Sequence, residues 1–138
     1  MDIALVDSVS RLWIFADLSQ AELEALLPGL EEVSFSEGSW VMRRGDMEPG
    51  LFIIVDGEVS VVIEGEELAA LTAGSFFGEI SALIDEPVVA DIIARTPLRC
   101  LYVPPDDVEA FLIANPKVMY RMLQTEARRL RTTDELRT

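Results

Sequence analysis

The sequence predicts a mainly β fold, a sandwich or roll, with helices at both ends. Between Val33 and Val103, short runs rich in Val, Ile and Phe are separated by glycine turns at Glu37-Gly38, Arg44-Gly45, Asp56-Gly57 and Gly65-Glu66. Helical periodicity stands before and after this block and is absent across its strand runs. The chain has 138 residues, half of them hydrophobic, the size of one domain with a sizeable core. A single domain is expected over 1–138, with N-terminal helices in 1–30, strands in 31–103 and C-terminal helices in 104–138.

Residues 3–15 are apolar enough for a short helix, with Trp13 and Phe15 placed to pack where it meets the domain. Ser19 and Glu22 have capping-box spacing, and Leu23, Leu26 and Leu27 follow on one face. That helix should stop at Pro28-Gly29. The clearest strands are 51–55, 59–63, 68–71, 91–94 and 98–103. After Pro104-Pro105, Val108, Phe111 and Leu112 mark a helix, which Asn115-Pro116 interrupts. A second helix is expected over 118–131. Its Tyr120, Leu123, Ala127 and Leu130 fall three or four residues apart, forming a short heptad-like seam. The seam either packs on the chain's own strands or joins two copies.

Composition excludes several kinds of function. There is no histidine, so His-based triads and His-ligated metals are ruled out, and no metal site is expected. The single cysteine, Cys100, cannot form a disulfide within the chain and reads as a small buried side chain. No apolar run approaches the roughly 20 residues that cross a bilayer, and no secretory leader pattern is seen. A cytoplasmic protein without membrane insertion is expected. Net charge is −14. Residues 1–116 hold 5 basic and 22 acidic side chains (net −17), and residues 117–138 hold 6 and 3 (net +3). The acidic body argues against nucleic acid. The basic helix, with Lys117, Arg121, Arg128, Arg129 and Arg131, is either a solvated face or a contact for an acidic partner or second copy. The carboxylate pairs Asp85-Glu86 and Asp106-Asp107 read as turn and helix-start residues. No nucleophile and base can be paired, so no catalytic residue and no enzyme is expected.

One window remains: Gly74-Ser75-Phe76-Phe77-Gly78-Glu79-Ile80-Ser81, running on through Pro87 to the strand at Asp91. A strand ends at Gly78 and a short helix begins at Glu79, so backbone amides face the turn. The residue types alone also fit a sharp corner at Gly78 with Glu79 near the helix dipole.

Together with Phe15-Ala16-Asp17-Leu18-Ser19, the Gly38 and Gly45 turns and the strand pair around Gly57, this window resembles the cyclic-nucleotide-binding domain family. The resemblance runs from residue 15 to about 131. It implies a cyclic-nucleotide-binding-type β-roll, a jelly roll with N-terminal helices and a C-terminal helix pair, working as a regulatory domain. The family's phosphate-binding cassette runs Phe-Gly-Glu, a short helix, then Pro-Arg-x-Ala-Thr or Ser. Laid over this sequence, it places a ligand pocket on Phe77, Gly78, Glu79, Ile80, Ser81, Val88, Val89, Ala90 and Asp91, with Glu79 on the ribose hydroxyl.

Two positions break the pattern, because Val88 stands for the arginine and Asp91 for the hydroxyl residue. Losing one side of a buried charge pair costs about 2–5 kcal/mol. A carboxylate about 4 Å from a phosphate adds repulsion on the order of 4 kcal/mol at an effective dielectric of 20. Arg95 and Arg99 are expected to pair with surrounding carboxylates rather than to rescue the site. The resemblance with these departures implies a module with no cofactor, unable to take cyclic AMP or GMP in the usual way, that acts through a protein partner or its own dimer. The alternative is a small-molecule sensor that still fills the pocket. The family's DNA-binding extension is not expected here.

Overall fold

In the computed structural model, which describes residues 3–47 and 49–137, the chain forms eight strands and five α-helices. They run α1 (Ile3–Ser10), α2 (Gln20–Leu26), β1 (Glu31–Phe35), β2 (Trp40–Met42), β3 (Leu51–Asp56), β4 (Val59–Ile63), β5 (Glu66–Leu71), β6 (Phe76–Phe77), α3 (Glu79–Ile84), β7 (Asp91–Ala94), β8 (Leu98–Val103), α4 (Val108–Ala114) and α5 (Pro116–Arg137). The strands make two antiparallel four-stranded sheets, ordered β1-β8-β3-β6 and β2-β7-β4-β5.

The first sheet is apolar on both faces, and period-two alternation divides its side chains between two cores. Leu51, Ile53, Val55, Phe76, Leu101 and Val103 meet the helices, packing with Val9, Phe15, Leu23, Val108, Val118 and Met122. Their neighbours Phe52, Ile54, Phe77, Leu98 and Cys100 turn inward between the sheets, against Met42, Val59, Ile92 and Ala94. A strand covered on both faces reads as a continuous apolar run rather than an alternation, which accounts for Leu-Phe-Ile-Ile-Val in β3. Inside the roll, Phe52 and Phe77 stack with centroids 5.1 Å apart. Cys100 is fully buried, and burial pushes its thiol up to about 12.

The helices have local causes. Ser19 Oγ accepts from the Glu22 amide at 3.1 Å, and the Ser19 amide donates to Glu22 Oε1 at 3.0 Å, completing the capping box of α2. The helix expected over 3–15 is split. It ends at Ser10, Leu12 is extended, and Trp13–Phe15 form a separate 3-10 turn. That break lets Val9, Ile14 and Phe15 all enter the core. Proline at 116 opens α5, where its missing N–H costs nothing, and the helix extends beyond the expected 118–131 at both ends.

The basic helix face is largely committed to the chain's own N-terminal region. Lys117 Nζ donates to Glu22 Oε1 at 2.9 Å. Arg121 grips Asp17 with two bonds of 2.7 Å, holding that carboxyl below its usual range. The guanidiniums of Arg121 and Arg128 lie 4.6 and 5.3 Å from the Trp13 ring. Of the basic residues the sequence singled out, Lys117, Arg121 and Arg128 thus have partners within the chain. Nearby carboxylates and an aromatic ring within the chain compete for the same cations.

Phe15 and Leu68 provide a paired check on the core. Phe15→Ala, at a site 1% exposed, should cost about 3–5 kcal/mol in urea unfolding. Leu68→Ala, at a site 57% exposed on β5, should change stability by less than about 0.5 kcal/mol.

Candidate ligand pocket

A cavity of about 340 Å³ opens where β6 meets α3 and the second sheet. Met42, Val61, Ala69, Leu71 and Ile92 supply its sheet wall, and residues 77–81 and 87–90 its other side, with Arg129 reaching in from α5. Of the residues the sequence singled out, Phe77, Gly78, Glu79, Ile80, Ser81, Val88, Val89 and Ala90 come together here.

Gly78 is what lets α3 begin at this point. Its φ is +88°, and a Cβ there would collide with the Gly50 carbonyl oxygen. The turn therefore needs both a left-handed backbone and no side chain. The loop after α3 is tied to the β2–β3 turn by Gly45 N–H to Val88 O at 2.8 Å and Val88 N–H to Asp46 O at 2.9 Å. Ser81 Oγ donates to the Glu86 carbonyl across the same loop.

Asp91 is the correction. Its Oδ1 accepts the Arg44 amide at 2.8 Å, and it is not among the cavity-lining residues. It braces the β2–β3 turn through that bond. Val88 does line the cavity, so an apolar side chain stands at the arginine position. Arg95 pairs with Glu58 at 3.1 Å and Glu67 at 3.3 Å, and Arg99 with Glu32 at 3.0 Å. Neither lines the cavity.

Arg129 is the cavity-lining residue that the sequence did not place at this site. Its guanidinium donates to Phe76 O at 2.9 Å, Ser75 Oγ at 3.1 Å, Glu126 Oε1 at 3.0 Å and, weakly, Glu79 Oε1 at 3.4 Å. It also lies 4.5 Å from the Phe76 ring. The sequence marked Arg129 only as one cation in a basic helix, since its reach depends on where α5 docks. The carboxyl it meets is unusual. Glu79 is 2% exposed, and burial, reinforced by the neighbouring Glu126 carboxylate, pushes its pKa up to about 8. Burial thus favours the protonated form of Glu79, while Arg129 meets the Glu126 side chain at the shorter distance of 3.0 Å.

The outward seam of α5 is also clear. Tyr120, Leu123 and Leu130 are each about 60% exposed, Ala127 is exposed, and Val118 and Met122 face the core instead. The seam does not pack on the chain's own sheets.

Glu79 binds a proton more tightly in the folded chain than in the unfolded one, where its pKa is near 4.5. Its contribution to stability is full below about 4.5 and is lost as pH rises through about 8. Melting temperature should therefore fall more steeply from pH 5 to 8 in the natural protein than in Glu79→Gln. Parallel curves would show that Glu79 is ionised throughout.

Comparison with known proteins fits this geometry. The sequence profile described as "Cyclic nucleotide-binding domain" matches residues 32–115. A cGMP-dependent protein kinase of Plasmodium berghei is 32% identical over 124 residues, covering 90% of this chain and 14% of that protein. The catabolite activator protein of Thermus thermophilus superposes with a TM-score of 0.77 at 26% identity, covering 88% of this chain and 59% of that one. A cyclic nucleotide-binding domain from Methylobacillus flagellatus gives 0.77 at 26% identity, over 95% and 79%. With a double-sheeted roll, a glycine-started cassette helix and a C-terminal helix docked on it, the chain belongs to the cyclic nucleotide-binding domain family.

Proposed function

We propose that this chain is a non-catalytic regulatory module that does not hold cyclic AMP or cyclic GMP by the family's phosphate contact, and that it acts through protein contact along α5. The observation that carries this reading is Val88 on the cavity wall. Among the lining residues Arg129 is the sole cation, and it is engaged by Ser75, Phe76, Glu79 and Glu126. A cyclic phosphate would enter an apolar wall without a counter-charge. The missing contact weakens binding by about 2–5 kcal/mol, from about thirtyfold to several thousandfold.

The output surface is the row Tyr120, Leu123, Ala127 and Leu130, left to solvent while the opposite face of α5 is buried. Its three- and four-residue spacing suits pairing with a second α5. A second reading, a small-molecule sensor, is favoured by the cavity itself, whose size falls within the usual range for ligand pockets.

Isothermal titration of cyclic AMP and cyclic GMP tests the first half. The natural protein should show no heat of binding at micromolar ligand, and Val88→Arg should restore it. Asp91 is left intact in this variant because it braces the β2–β3 turn. Tight binding by the natural protein would refute the loss of the phosphate contact. For the second half, analytical ultracentrifugation should show a dimer that Leu123→Glu dissociates. A monomer at every concentration would remove self-association from the proposal and leave only a foreign partner.

A further inference from the structure

The cavity has a definite chemical character. Its lining includes Met42, Val61, Leu71, Phe77, Val88 and Ile92, an apolar surface that water wets poorly. Its polar side chains are engaged except at one atom, the buried Glu79 Oε2, which has no hydrogen-bond partner among the described residues. Ser81 is bonded to the Glu86 carbonyl, Arg129 has its set of acceptors, and the buried Glu79 carboxyl lies against Arg129.

The charges also cancel. Glu79 and Arg129 are the only charged residue types in the lining. Burial favours the neutral form of Glu79, while Arg129 sits 3.0 Å from the Glu126 carboxylate. An anion entering the cavity would give up its hydration without gaining an available cation. A cation would meet only the Glu79 carboxyl, which burial holds toward its neutral form and whose Oε2 can hydrogen-bond an uncharged polar group instead. The chain's net charge of −14 further repels anions at long range.

We propose that the pocket takes an uncharged, largely apolar small molecule, of a size set by the 340 Å³ cavity, rather than an anionic nucleotide. The inference rests on the reading that the cassette has lost its phosphate contact, and it adds the class of ligand that replaces the nucleotide. The entry side has a usable handle. Ala69 lies on the exposed strand β5 directly across from Val61 on β4, and both line the cavity. A large side chain at position 69 fills the pocket from a strand whose side chains are mostly in solvent.

Two dyes of one skeleton test this: uncharged N-phenyl-naphthylamine and its anionic relative, anilinonaphthalene sulfonate. Fluorescence titration should give saturable binding of the uncharged dye, about tenfold or more tighter than the sulfonate. Ala69→Trp, checked for folding by circular dichroism, should abolish it. Leu68→Ala, at an exposed position on the same strand but outside the lining, should leave it unchanged. Val88→Arg should shift the preference toward the sulfonate. Equal affinity for both dyes, or binding that survives Ala69→Trp, would overturn the proposal. If neither dye nor cyclic AMP binds, the uncharged-ligand inference fails while the lost phosphate contact stands. If cyclic AMP binds tightly, the lost phosphate contact is what fails.

Discussion

The β1-β8-β3-β6 sheet has to be covered twice, and most of the structure follows from that requirement. One face makes the interior of the roll with the second sheet, and the other is closed by the helices. Apolar surface is worth roughly 25 cal/mol per Å² when removed from water, so neither face of a strand such as Leu51–Asp56 tolerates exposure. The helices are therefore part of the core, and Val118 and Met122 are the points at which α5 joins it. Once those two side chains are seated, the next turns of α5 lie over β6 and α3, and Arg129 is delivered to Phe76 and Glu79.

Electrostatics operate within that frame. A strongly acidic body would repel itself, and the basic stretch of α5 relieves this by bonding to Asp17 and Glu22. Such exposed pairs contribute little each, and the face of α5 that turns inward is set by Val118 and Met122. The apolar seam is then the face left over. At the cassette, the same helix supplies both Arg129 and the Glu126 that balances it, so the pocket's charge is set by a segment far from it in sequence.

Much of this was legible in the sequence. The five clearest strands, the Ser19-Glu22 capping box, the break at Asn115-Pro116 and the short helix after Gly78 all depend on local chemistry. The short strands β1 and β2 were not individually marked, because three to five residues with mixed burial carry little periodicity. At the site, Val88 was legible because its role depends on side-chain type at a place in a run. Asp91 was not, because whether its carboxylate faces the cavity or the Arg44 amide depends on the path of a turn 47 residues away. Arg129 and its Glu79 contact, 50 residues apart, have no local signature at all.

The distribution of burial along α5 sets how firmly each part of the helix is held. Val118 and Met122 are buried, but none of the described side chains from Leu123 to Thr132 is. The first two turns are held by apolar contact, whose loss exposes core, and the turns beyond by polar groups that water can replace one for one. Apolar cohesion therefore declines along the described part of the helix, from Val118 toward Thr132, and segments held by fewer buried contacts are the ones that open before the core. The seam residue Tyr120 would keep its place in such an event while Leu130 is released, so an α5 bound to a second copy along its full length would be clamped against the fraying that a lone chain allows.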